Sequence, residues 1–456
     1  MSDQSNQNLP ADNSRRQFMK GAAAIAAGGA VLGLNQRIAR SAHISGSDEI
    51  KIGLIGCGGR GRGAATQALE TKGKVTLWAA CDAFADNLQN TVYGINEDVK
   101  KGQEKKDSLF VDSVVDCPAE RQFVGFDGFQ KVIDSGVDLV ILATPPGFRP
   151  QHFEAAVNAG KHIFMEKPVA VDAPGVRRVL AANEIAKEKN LMVAVGLQRH
   201  HEPKYIETIQ RLQDGAIGDI LATRVYWNSG GLWMRPRKPE MTEMEYQMRN
   251  WYYFNWLCGD HIVEQHIHNL DVSNWLKGAH PAEAGGMGGR QVRTGKDYGE
   301  IFDHHAVEYT YPDGTKMYSQ CRHIDGCWSS VSEHAHGTKG TADISGFTIN
   351  ANGEKRWKSD KEAVNGWHNE HHDLFAALRQ GDIYNEGDNG ANATMTAIMG
   401  RMATYSGKVL KWEEALNSTV DLSPKKYAFD ADPPVMPGKD GFYAIAIPGV
   451  TDVLNG

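Results

Sequence analysis

At 456 residues the chain is too long for one ordinary hydrophobic core, so two domains are the first expectation. Hydrophobic residues at 41 % and charged residues at 23 % are typical of a soluble globular protein. A formal net charge of −7, with no basic cluster, excludes a nucleic-acid surface and leaves a protein that handles a small ligand.

Residues 1–45 differ from the rest. Ser14-Arg-Arg-Gln-Phe-Met-Lys20 precedes the small-residue apolar run Gly21 to Leu34, and Ala39-Arg-Ser-Ala42 offers a small-residue cleavage site. This reads as a twin-arginine export signal, which directs the protein to the periplasm through the twin-arginine machinery. The alternative is a membrane anchor, but the run falls short of the roughly 20 residues that span a bilayer.

The next segment carries the strongest signal. Lys51-Ile-Gly-Leu-Ile reads as a strand, Gly56-x-Gly58-x-x-Gly61 follows it, and Ala64 to Leu69 reads as a helix. A dinucleotide fingerprint needs that order. Its glycines make a tight turn, let the backbone approach a pyrophosphate and pack the helix closely, and the helix N-terminus holds the anion. A second apolar run, Val75 to Cys81, ends in Asp82, where a carboxylate that accepts the ribose hydroxyls belongs. Cys57 and Cys81 read as small buried residues of this fold. The six cysteines (57, 81, 117, 258, 321 and 327) have no zinc spacing, although Cys321 and Cys327 are placed so that they could pair.

Asn96 to Asp107 reads as a helix or surface insertion and Gly128 to Ser135 as a helix. Val137 to Ala143 is a buried parallel-type strand that ends at Thr144-Pro145-Pro146-Gly147. A helix over 152–159 with Gly160 as its stop, a strand over 162–166, a helix over 173–189 and a strand over 191–196 continue the alternation. The fold class is therefore α/β, with a doubly wound parallel Rossmann sheet over residues 48–199. Ligands bind at the carboxyl ends of such strands, which gathers Gly56 to Gly61, Asp82, Thr144, Pro145 and Glu166-Lys167-Pro168 around one cleft.

From residue 200 to 456 the pattern predicts a second, α+β domain with a large, mostly antiparallel sheet. Its strands include Ile220 to Trp227, Ala306 to Tyr311 and Lys316 to Cys321, with a hairpin turn at Pro312-Asp-Gly314. One face of this sheet is expected to cover the cleft, and 370–378 and 392–405 read as late helices. The tryptophan-rich stretch holding Trp251 and Trp256 suits either a sugar ring face or aromatic core packing.

Two constellations carry chemistry. Lys167, just past a buried strand, is placed to hold a nicotinamide ribose, polarise a hydroxyl or act as a base. In Asp260-His-Ile-Val-Glu-Gln-His-Ile-His-Asn-Leu-Asp271, a continuous helix puts His261, Glu264 and His268 on one face. A carboxylate one turn before an imidazole can then orient a general base. Three histidines in eight residues also suit a metal, but one helix rarely supplies a full ligand set, so no metal site is expected.

Taken together, the glycine triplet, Glu166-Lys167-Pro168 and the carboxylate before His268-Asn-Leu-Asp271 resemble the Gfo/Idh/MocA oxidoreductase family. Gly337-Thr-Lys-Gly340, Ala397 to Arg401 and Ser406-Gly-Lys408 resemble its exported members. The resemblance implies a pyranose or cyclitol held between the domains, its hydroxyl deprotonated as the adjacent carbon gives hydride to NAD. By position, Lys167 orients or deprotonates and His268 is the acid/base. Glu264 stands where the family more often has Asp, with Asp271 or His266 able to share its role. Gly56, Gly58, Gly59, Arg60, Gly61, Asp82, Thr144, Pro145, Glu166 and Lys167 hold the cofactor, and Gln198, Arg199, Trp256 and Asp271 meet the substrate. Asp82 favours NAD, while Arg60 leaves NADP open. The family also implies a homodimer or homotetramer. A cofactor held tightly would let one carbohydrate be oxidised and another reduced in turn. The alternatives are an NAD-dependent glycosidase acting by transient C3 oxidation and elimination, and a non-catalytic nucleotide- or sugar-binding protein.

Overall fold

The computed structural model describes residues 49–105 and 108–456. The first sheet contains β1 (Ile50–Ile55), β2 (Val75–Asp82), β3 (Val114–Val115), β4 (Gln122–Val124), β5 (Leu139–Leu142), β6 (His162–Met165) and β7 (Val193–Val195). β5 and β7 are buried along their whole length, and β1 at all but Lys51, as interior parallel strands must be. The order is β3-β2-β1-β5-β6-β7 with β4 beside β2, and every pairing is parallel. The chain steps from β1 to β2 on one side and returns to lay β5 on the other. The switch point, where such sheets bind ligands, therefore lies between the ends of β1 and β5. Gly56 sits there at φ 101°, and a Cβ on it would lie 2.5 Å from the Thr144 amide nitrogen after β5. Only glycine lets the two strand-end loops meet.

The second sheet contains β8 (Ile220–Ser229), β9 (Glu283–Gly289), β10 (His304–Thr310), β11 (Lys316–His323), β12 (Ser330–Gly337), β13 (Gly340–Asp343), β14 (Thr348–Ala351), β15 (Trp357–Lys358) and β16 (Leu410–Lys411). Its order is β15-β14-β13-β12-β8-β11-β10-β9-β16, antiparallel except where β11 runs parallel to β8. Period-two alternation buries His305, Val307 and Tyr309 on β10 and Met317, Ser319, Cys321 and His323 on β11. The hairpin between them turns at Gly314 (φ 84°), and Asp313 Oδ1 accepts from the Thr315 amide. Ile50–Gly456, holding both sheets, packs as one unit. No helix among the described residues is long and apolar enough to cross a membrane.

Several expectations change in detail. The segment after Asp82 is a helix, Ala85–Gln103, and the late helices are longer than their sequence signals, Gly366–Gln380 and Gly387–Ser406. The six cysteines are all free thiols, Cys321 buried and Cys327 exposed. The expected continuous helix through His261 and His268 is broken into His261–Glu264 and Ile267–Lys277. The His261 carbonyl accepts from both the Gln265 and His266 amides, a widened turn that ends the first helix. His261 consequently leaves the face it was expected to share. The export-signal segment, residues 1–45, lies outside the described residues.

Candidate active site

A cavity of about 440 Å³ opens at the switch point, and both sheets contribute to its wall. Gly56, Gly58, Gly59 and Arg60 line it with Asp82, Thr144, Pro145, Glu166 and Lys167. Glu264, Gln265 and His268 also line it, with Trp227 from β8 and with Trp251 and Trp367.

The glycine turn has the shape that a dinucleotide needs. Gly58 and Gly59 have no atom within 4 Å of where a Cβ would stand, so their backbone faces open space. Gly61 is the reverse case: a Cβ there would come 1.9 Å from the Gly56 carbonyl oxygen, so helix and turn pack backbone to backbone. Asp82 is held by the Cys57 amide at 2.7 Å and the Phe84 amide at 2.9 Å. Burial raises its carboxyl above the ordinary range, against the lowering effect of those two bonds. These residues fit a nicotinamide dinucleotide, with Asp82 on a ribose and Gly58 and Gly59 against the phosphates.

Arg60 turns inward. Its guanidinium pairs with Glu166, donates to Gln67 Oε1 at 2.7 Å and reaches Glu370 Oε1 at 3.0 Å. Arg149 is 1 % exposed and donates to the carbonyls of Thr144 and Pro168, tying together the loops that follow β5 and β6. Burial lowers its pKa to about 10. Lys167 precedes a cis peptide bond to Pro168, and its Nζ donates to the Glu264 carbonyl at 2.6 Å and to Glu264 Oε1 at 3.0 Å. One turn on, His268 lies 6.0 Å from the Trp227 ring and its Nδ1 is buried without a partner. Burial, then the charges of Lys167, Arg199 and Arg60, hold its pKa well below the ordinary value. Its imidazole is neutral, the form that accepts a proton.

The structure does not bring every expected residue to this cavity. Trp256 is buried, with its indole N–H on Gln247 Oε1 at 2.7 Å. Asp271 is spent on His200 Nε2 at 2.7 Å, and Arg199 on Glu333. Gln198 is 9 % exposed and is also absent from the lining. His266 bonds Ser319 and Asn269 in the core. His261 is fully buried and bonds Asp260 Oδ1 at 2.8 Å, and burial takes its pKa down to about 4. Among the described residues, Asp260, His261 and His305 form the one group whose potential metal-ligating atoms come within 4.8 Å of one another. Both Asp260 oxygens already accept hydrogen bonds, from the His261 amide and ring on one and from Phe302 and Tyr405 on the other. His261 Nε2 and His305 Nε2 are buried beside them without a hydrogen-bond partner. Conversely, Trp227, Gln265, Arg149 and Trp367 line the cavity without having been singled out as ligand contacts. Trp227 stood at the end of a recognised strand, the one legible signal among them.

Residues 50–197 match the model of Gfo/Idh/MocA, an oxidoreductase family with an NAD-binding Rossmann fold. This domain belongs to the Gfo/Idh/MocA family. Residues 12–32 match the twin-arginine translocation signal sequence. Inositol 2-dehydrogenase 1 of Saccharopolyspora erythraea is 33 % identical over 142 residues, which cover 31 % of this chain and 41 % of that protein. Inositol 2-dehydrogenase of Klebsiella pneumoniae (strain 342) is 26 % identical over 227 residues, covering 50 % and 54 %. The chain thus matches only about half the length of these curated relatives. The fold extends further. Scyllo-inositol dehydrogenase from Lactobacillus casei, with bound NAD(H) and scyllo-inositol, superposes at a TM-score of 0.57 and 20 % identity, covering 80 % of this chain and 99 % of its own. Levoglucosan dehydrogenase in complex with NADH and levoglucosan gives 0.61 at 15 % identity over 80 % and 99 %. The parallel sheet with a C-terminal, mostly antiparallel sheet is the Gfo/Idh/MocA architecture.

Proposed function

We propose that this protein is an exported, NAD-dependent oxidoreductase that acts on a hydroxyl-bearing carbon of a sugar or cyclitol and keeps its cofactor tightly bound. The observation that carries this reading is the Lys167–Glu264–His268 set, which lies on the wall of the cavity that also holds the glycine turn and Asp82. A nicotinamide bound there supplies the hydride acceptor. The chain's own residues handle the proton and the orientation. His268, kept neutral by burial and nearby cations, accepts the hydroxyl proton. Lys167 presents its ammonium to the same hydroxyl, held in place by both the carbonyl and the carboxylate of Glu264. Trp227 and Trp251 offer ring faces to the apolar side of the substrate.

Residues up to 199 serve the nucleotide and those beyond 200 the substrate in this reading. NAD is favoured over NADP because Asp82 carries its carboxylate at the ribose position and Arg60 is committed to Glu166 and Glu370. The names of the relatives and fold neighbours, inositol and sugar dehydrogenases, support the substrate class. The export signal supports a periplasmic site of action. The test is nicotinamide fluorescence of the purified protein, before and after added NAD, against a panel of cyclitols, free sugars and glycosides. A rise with one compound that a keto sugar reverses is expected. Glycoside cleavage with no net reduction would replace this reading with the elimination mechanism, and silence across the panel even with NAD would end the redox reading.

A further inference from the structure

The helix Gly366–Gln380 lies more than 160 residues beyond the Rossmann sheet in sequence, yet it is fastened to the glycine-turn helix Gly59–Leu69 and the loop after it. Glu370 Oε1 accepts from Arg60 at 3.0 Å, in the first turn of that helix. His368 Nδ1 meets Glu70 Oε2 at 2.6 Å at its far end. Arg379 donates to the carbonyls of Lys72 and Lys74, the latter just before β2. Glu370 is itself 1 % exposed, and its second oxygen is buried without a partner, so it is a costly group to place there without a task. One turn before it, Trp367 lies on the cavity wall with 49 % of its surface exposed.

We propose that this helix is a clamp on the bound dinucleotide and that Trp367 is the residue that retains it. Fastened through Arg60 in the glycine turn, the helix sets the indole on the wall of the cavity that this turn also lines. The ring covers the bound nucleotide there and slows its escape. Arg60 and Glu370 are positioning residues: they aim the indole and touch no substrate. Retention matters for an exported protein, which meets little free cofactor. The inference rests on the proposed nucleotide site.

The test follows NADH dissociation from the full-length protein by stopped-flow displacement with excess NAD, together with equilibrium Kd. W367A is expected to speed dissociation and raise Kd by roughly tenfold, the effect of a lost aromatic contact. W367F should restore most of the retention. Because Trp367 is half exposed, the unfolding midpoint of W367A should stay at the wild-type value. E370Q, which keeps shape but weakens the Arg60 contact, should speed dissociation by a smaller factor. Unchanged NADH kinetics in W367A would overturn the clamp while leaving the nucleotide site intact. So would a raised KM for the sugar with unchanged NADH Kd, which would make Trp367 a substrate platform. A wild-type protein that binds no NADH would instead remove the functional reading on which the clamp depends.

Discussion

In the proposed reaction, the Lys167–Glu264 salt bridge organises the proton path to His268. The Lys167 ammonium lies at 3.0 Å from Glu264 Oε1, with only 13 % and 12 % of the two side chains exposed. A charge so enclosed stays in place only because it is paired. Burial first, and then this charge, lower the pKa of His268. Replacing His268 with Asn would remove the proposed proton acceptor while leaving the glycine turn untouched. We expect kcat to fall by about 10²–10⁴ with NADH Kd within about threefold, measured by steady-state kinetics and fluorescence titration. A proportional loss of NADH binding would instead place His268 in the cofactor site. Lys167, Glu264 and His268 were legible as chemistry because a strand end and an acid–imidazole pair one turn apart are local patterns. Asp271 and Arg199 carry no local sign of their partners: nothing in the adjacent sequence reveals that they bond His200 and Glu333.

At the scale of elements, the glycine turn works because two backbones touch. Gly61→Ala puts a Cβ 1.9 Å from the Gly56 carbonyl oxygen, and backbone cannot step aside as a side chain would. We expect a loss of about 1–3 kcal/mol in denaturant unfolding, together with weakened NADH binding, because the helix must shift away from the turn. Gly58→Ala has no such clash and should leave stability unchanged while obstructing the nucleotide. The break at Gln265–His266 is the element that sequence periodicity misread. A 3.6-residue pattern cannot distinguish a continuous helix from two short ones joined by a widened turn. The break frees His261 to enter the core, where it stacks 4.6 Å from His323, and puts Gln265 on the cavity wall.

For the molecule as a whole, buried histidines set the response to acid. Burial lowers the pKa values of His152 and His266 to about 3, His261 to about 4 and His323 to about 2. Each is neutral in the fold but takes up a proton near pH 6.5 once unfolded. The unfolded state then binds more protons, so their contribution is complete above about pH 6.5 and is lost as pH falls below it. Glu300, raised to about 7 by burial, acts in the opposite direction over the same window, and the carboxyls of Asp82, Asp172, Glu202 and Glu370 are raised too. They are outnumbered by the imidazoles that burial lowers, which also include His162, His268, His371 and His372. His201, raised to about 10 by Asp373 and Glu386 against its burial, contributes fully below pH 6.5 and so does not change the acid limb. The thermal midpoint should therefore fall between pH 7 and pH 5 in a calorimetric series, and a flat profile would count against these histidines being neutral.

The sequence alone determined the parallel sheet, the glycine turn, the carboxylate that ends β2 and the export signal. Each of these is written in contiguous residues whose spacing follows from strand and helix geometry. Lys167, Glu264 and His268 were visible in the same way. Only the tertiary structure decided which polar groups remain free for a ligand, because occupation by a partner depends on contacts between residues distant along the chain. It closed Trp256 onto Gln247 and brought Trp227 and Trp367, far apart along the chain, to one cavity. It also linked Arg60 to Glu370 across 310 positions, a pairing that no local pattern encodes.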